Sequence, residues 1–169
     1  MTIHTFIALI ADGAVIPIIV IAGYALLFLV PSGHRFEAYV RILMAGMTAY
    51  LVAKLLGAIY QPATERPFEI LGVAPGASYL NNPGFPSDHA LFTTFLTLAV
   101  WFETRRKGIT VILAILTITV CVGRVLALVH TPLDVTGGIL IASFGALWYL
   151  QRDKIINPPT RKTHQDNVQ

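Results

Sequence analysis

Charge and cysteine are both scarce in this chain. Only 12% of its 169 residues are charged while 55% are hydrophobic, and the mean hydropathy is +0.68. A water-soluble domain of this size could not cover that much apolar surface, so the composition points to a bilayer. The single cysteine, Cys121, lies within an apolar run. It excludes an intrachain disulfide and argues against redox chemistry or a Cys-rich metal site. No Lys or Arg precedes the first apolar stretch in MTIHTFIALIAD, and no small-residue cleavage pattern accompanies it. The segment therefore does not resemble a removable signal peptide. The net charge of +3 forms no basic stripe of the kind nucleic acid would need, and no nucleic-acid partner is expected.

What is present is a series of apolar runs. A helix needs about 20 apolar residues to cross about 30 Å of hydrocarbon, and five stretches approach or exceed that length: Thr5 to Val30, Ala38 to Tyr60, Ser87 to Phe102, Ile109 to Val129 and Leu133 to Leu150. The expected fold is an all-α, polytopic transmembrane helical bundle of about five spans, over residues 1–156. Residues 157–169, NPPTRKTHQDNVQ, are polar, contain two prolines and read as a disordered cytoplasmic tail. The third span is the shortest, so its start is expected to be recessed below the membrane surface.

Nine of the basic residues read as topology signals. Arg35 and Arg41 follow the first span, Arg105, Arg106 and Lys107 the third, and Arg152, Lys154, Arg161 and Lys162 the fifth. Placed on the cytoplasmic side, they set the N-terminus outside and the C-terminus inside. Lys54, Arg66 and Arg124 fall instead near the outer face, where an ionisable residue is costly and marks a functional site by default. Taken singly, Lys54 and Arg124 could snorkel outward from helix ends and complement the helix dipole. Two such residues converging with other polar groups ask for more.

Those polar groups form two clusters. Phe85-Pro86-Ser87-Asp88-His89 reads as a helix start, with Ser87 as N-cap and Asp88 in the first turn. Free N–H groups at such a start favour an anion, which Ser87 and His89 would border. The second cluster is Gly123-Arg124, five residues, His130, three residues, Asp134. Thr131, Pro132 and Asp134 suit N-cap, N1 and N3 of the last span. Asp134 also stands within reach of His130 and could accept its Nδ1–H, leaving Nε2 as a nucleophile.

Phosphoryl transfer needs fixed cations around three charged oxygens, a nucleophile opposite the leaving oxygen, and an acid to protonate that oxygen. Each role has a candidate here: Lys54, Arg66 and Arg124 to clamp the phosphate, His130 to attack with Asp134 orienting it, and His89 as acid. No metal and no cofactor is required. His4, His34 and His164 lie outside the constellation and read as surface or interfacial residues.

These residues resemble the type 2 phosphatidic acid phosphatases, which share an active site with the vanadium-dependent haloperoxidases. The family signature runs Lys-x6-Arg-Pro, Pro-Ser-Gly-His, then Ser-Arg-x5-His-x3-Asp. Arg124, His130 and Asp134 match the third part, with Gly123 in place of serine; Pro86, Ser87 and His89 match the second, with Asp88 in place of glycine. In the first part, eleven residues rather than six separate Lys54 from Arg66-Pro67. Pro31-Ser32-Gly33-His34 also spells the second motif but precedes Lys54 among cytoplasmic arginines, on the wrong side for the site.

The resemblance implies a helical-bundle lipid phosphatase acting without metal through a phosphohistidine intermediate. Members commonly have six spans, against five expected here. The Phe-Pro-Ser-Asp-His form looks like the subgroup that dephosphorylates undecaprenyl diphosphate in bacterial cell-wall synthesis. That implies a bacterial inner-membrane protein with an outward-facing site, and lipid as its partner. Phosphatidate and phosphatidylglycerophosphate are the alternative substrates. A transporter or binding protein for anionic lipid would use the cations equally well, but needs neither two histidines nor an acid to orient one. A purely structural protein leaves the buried charges unexplained, and the family's peroxidases are soluble.

Overall fold

The computed structural model describes residues 3–62, 65–80 and 84–151. The tail 157–169, His164 and the basic residues from Arg152 onward lie outside the described residues. Helices account for nearly all regular structure, and no strand occurs among the described residues. The all-α expectation holds.

The helices are α1 (Ile3–Ala8), α2 (Val15–Phe28), α3 (Arg35–Ile59), α4 (Pro67–Ile70), α5 (Asp88–Thr104), α6 (Lys107–Leu126) and α7 (Pro132–Gly145). A π-helical turn, Leu9–Gly13, joins α1 to α2, with Ala14 N–H donating to Leu9 O at 3.1 Å. Pro17 supplies a local reason. It has no N–H to offer the Gly13 carbonyl, and its ring crowds that oxygen, so a regular α-helix is disfavoured just before it. A 3-10 segment, Ala146–Gln151, extends α7.

Among the described residues, four stretches are long and apolar enough to cross a membrane: Thr5–Phe28, Ser32–Ile59, Lys107–Leu126 and Pro132–Leu150. The third expected span, α5, has 17 residues and is the central helix, packed against α2, α3, α6 and α7. A helix surrounded by protein can carry hydroxyls that lipid would not tolerate. Accordingly Thr93, Thr94, Thr97 and Thr104 of α5 are buried, and Thr97 Oγ1 lies 3.0 Å from Thr117 Oγ1 of α6.

Outer helices reverse the pattern of a soluble protein. Val20, Leu27, Leu43, Leu51, Leu55, Ile115, Ile118 and Leu140 are exposed, while alanines 22, 25, 45, 49, 53, 90 and 99 fill the interior. Lipid rather than water suits that outer face. Small residues let helices approach closely where no hydrophobic drive operates between them. At Gly138 a Cβ would come within 2.7 Å of Ser87 O, and at Gly145 within 2.6 Å of Ala45 O. The α5–α7 and α3–α7 seams depend on these two absences.

Arg41 is buried within α3 and donates twice to Glu103 of α5, Nε to Oε1 at 2.8 Å and Nη2 to Oε2 at 2.9 Å. The turn Ser32–His34, which carries the duplicate Pro-Ser-Gly-His motif, starts α3 at this same end and is exposed. The helix starts of α5 and α7 meet at the other end, where Ser87 N–H donates to Asp134 O at 2.9 Å.

Candidate active site

Five segments converge at that second end. α5 begins with Ser87 as N-cap, its Oγ accepting the Ala90 N–H at 3.5 Å. α7 begins with a reciprocal capping box: Thr131 Oγ1 accepts the Asp134 N–H at 3.2 Å, and Asp134 Oδ2 accepts the Thr131 N–H at 2.7 Å. Both starts therefore follow the local grammar of their sequences. Between α6 and α7 the chain reverses through Leu128, which has φ 60°, and presents His130.

The segment from Gln61 to Pro86 folds over this turn. Arg66 opens α4, with Glu69 Oε2 accepting its N–H at 2.6 Å. Its guanidinium then reaches across the site, Nη1 donating to Val129 O at 2.5 Å and Nη2 to Leu80 O at 3.0 Å, beside the Tyr79 ring. Phe68 N–H donates to Leu128 O at 3.1 Å, and Gly76 N–H to Ala127 O at 3.0 Å. Loop and turn thus hold each other.

Together they enclose a cavity of about 280 Å³ lined by Arg66, Asp88, His89, Arg124 and His130, with Tyr79 and Pro86 among the walls. His89 is partly exposed, whereas Arg124 and His130 are buried. His130 Nδ1 stands 3.6 Å from Asp134 Oδ2. That is just beyond hydrogen-bond length, and catalytic contacts of this kind commonly tighten only with substrate bound. Burial pushes the His130 imidazole below its ordinary titration range; the nearby Asp134 opposes this, and Arg124 and Arg66 reinforce it. Burial thereby favours the neutral ring, the form a nucleophile requires. Arg124 Nε and His130 Nδ1 are buried without a hydrogen-bond partner among the described residues, unusual for polar atoms in a packed interior.

Not every expected residue reaches the cavity. Ser87 is wholly buried and its hydroxyl is spent on the cap, so its side chain does not line the space. Lys54 stands to one side, its Nζ 3.4 Å from Asp88 Oδ1, with both side chains nearly half exposed. Asp88 itself lines the cavity. The structure brings together Arg66, Arg124, His89 and His130, places Asp134 behind His130, and joins Lys54 only through Asp88. Among the described residues, no group of three His, Cys, Asp or Glu side chains could hold a metal ion.

One residue escaped the sequence reading. Asp12, in the π-helical turn, has Oδ1 2.6 Å from Arg124 Nη1 and 3.7 Å from His89 Nε2, while Oδ2 accepts the Ser78 N–H at 2.8 Å. Its signal was legible: an acid inside an otherwise apolar stretch is costly for the same reason as a cation. The Gly123 position also gains a reason. A Cβ there would lie 2.8 Å from Ala11 N and 2.9 Å from Ala11 Cα, so a serine would collide with the turn that carries Asp12.

The PAP2 superfamily model matches residues 38–156. The chain belongs to the PAP2 superfamily. The superfamily supports a phosphatase acting on phosphate esters, here built on membrane-type helices. No curated protein matches the chain, and no solved structure does. The match begins within α3, leaving α1, the π turn and α2 outside it.

Proposed function

We propose that this protein is an integral-membrane lipid phosphatase that removes the terminal phosphate of undecaprenyl diphosphate or a close relative, without metal, through a phosphohistidine. The observation that carries the reading is the single cavity lined by Arg66, His89, Arg124 and His130, two guanidinium groups and two imidazoles drawn from four separate segments.

His130 Nε2 attacks the terminal phosphorus, forming an N–P bond as the bond to the leaving lipid oxygen breaks. His89 gives that oxygen a proton. Water then attacks the phosphohistidine, returning its proton to His89 and releasing inorganic phosphate. Arg66 and Arg124 face the three phosphoryl oxygens, where charge accumulates. Asp134 orients the His130 ring, and Lys54 steers phosphate at the mouth. Arg35, Arg105, Arg106 and Lys107 lie at the opposite end of the bundle, which supports a cytoplasmic location for that end and an outward-facing site in a bacterial inner membrane. The Phe-Pro-Ser-Asp-His motif supports the polyisoprenyl substrate over phosphatidate or phosphatidylglycerophosphate.

Phosphate release from these three lipids by purified protein, with and without chelator, tests the proposal. Undecaprenyl diphosphate should be turned over fastest and the chelator should change nothing. Chelator-sensitive turnover would overturn the metal-free route, and preference for phosphatidate would overturn the substrate.

A further inference from the structure

Asp12 stands outside the family match and inside the site. The π-helical turn that carries it is seated on Gly123, the residue before Arg124, because that glycine leaves room for the Ala11 backbone. One carboxylate oxygen lies between the Arg124 guanidinium and the His89 imidazole, and the other is held by the Ser78 N–H. The carboxylate is about a third exposed, while the Arg124 side chain is 2% exposed. A guanidinium buried to that degree needs a counter-charge, and Asp12 is within 2.6 Å of it. Arg124 nonetheless keeps an Nε that is buried without a hydrogen-bond partner among the described residues, and Arg124 lines the cavity.

We infer that Asp12 is the resident counter-ion of the phosphate seat, a carboxylate that sets how tightly the site holds a phosphoryl group and how readily it lets inorganic phosphate go. Without ligand it compensates Arg124 and keeps Arg124, His89 and the loop at Ser78 in register. When phosphate arrives, the same negative charge stands beside the incoming one and opposes it. The first helical segment is thereby part of the active site. Its role is to hold affinity down, so that the product leaves a pocket rich in guanidinium groups.

This inference rests on the phosphate-binding reading of the cavity, and Asp12→Asn tests it with inorganic phosphate as the probe. The amide keeps the size and an acceptor for the Ser78 N–H but removes the charge. Inhibition by inorganic phosphate should tighten about tenfold, the scale of one like-charge neighbour a few ångströms away in a partly screened site. KM should fall in parallel and kcat should not rise. Asp12→Glu should restore the original inhibition constant. Unchanged or weaker inhibition in Asp12→Asn would reduce Asp12 to a clamp and overturn the inference.

Phosphate-induced thermal stabilisation of the full chain in detergent gives the same comparison without turnover. If the parent chain hydrolyses no lipid phosphate yet is stabilised by phosphate, the phosphatase reading fails while the counter-ion comparison still stands. Should Asp12→Asn not fold in chloride, recovery of folded protein in phosphate buffer supports the inference. Equal failure in both buffers overturns it.

Discussion

The bundle buries arginines at both ends, and the fold completes the pairing of one, Arg41, while leaving that of another, Arg124, incomplete. Arg41 meets Glu103 with two parallel hydrogen bonds, a closed arrangement in which the carboxylate and guanidinium answer each other. Arg124 donates one hydrogen bond to Asp12, keeps an Nε without a partner among the described residues and borders a cavity. Burial of charge is therefore common to both ends and does not itself identify a site. What differs is unused hydrogen-bonding capacity on buried side chains that border a cavity, one of them an imidazole whose burial favours the neutral form.

The sharpest test of that difference is His130→Ala. It should lower phosphate release by about 10³-fold or more, with helix content by circular dichroism unchanged. Residual activity near that of the parent would remove His130 from the reaction. At the opposite end, Glu103→Gln should leave a buried guanidinium uncompensated and destabilise the protein by roughly 3–5 kcal/mol, read from denaturation in detergent. Turnover per folded molecule should stay the same. A selective loss of turnover with normal stability would mean that the two ends are coupled.

A smaller effect is expected from pH. Because the folded-state titration of His130 lies below its ordinary range, the neutral nucleophile persists as pH falls from neutrality through that range. The acid limb of kcat/KM should accordingly lie below the value of a free imidazole. Stability follows with the same sign: the unfolded chain takes up this proton first, so stability should decrease as pH drops through the ordinary imidazole range. His130→Gln should flatten that slope, and an unaltered slope would assign it to other groups. Smallest of all should be Lys54→Ala. Its pair with Asp88 is long and half exposed, and such pairs contribute about 0–1 kcal/mol, so kcat/KM should fall by less than about fivefold. A hundredfold loss would place Lys54 inside the phosphate clamp after all.

Much of the site was legible because its parts are local. The Ser87 cap and the Thr131–Asp134 capping box each depend on residues within one helical turn, and both form where the spacing expects them. The separation of His130 from Asp134 is likewise set by four residues of chain. Lys54 was harder: its distance from Arg66 along the sequence does not say on which side of Asp88 its ammonium will rest. Arg41 looked like a flanking charge because its partner, Glu103, lies 62 positions away. Asp12 carries the same signal as the cations, since an acid in an apolar stretch breaks the same rule.

The sequence by itself determined the membrane class, the helix starts, and the residue types that a phosphoryl group would need. Those follow from hydropathy and from hydrogen bonds that close within a turn or two of backbone. Which charges meet was decided only by tertiary packing. Asp12 and Arg124 are 112 residues apart, and they touch because Gly123 has no side chain and Pro17 disfavours a regular helix just ahead of it. Contact at that separation depends on how closely two helices can approach, a property of paired surfaces rather than of either segment alone.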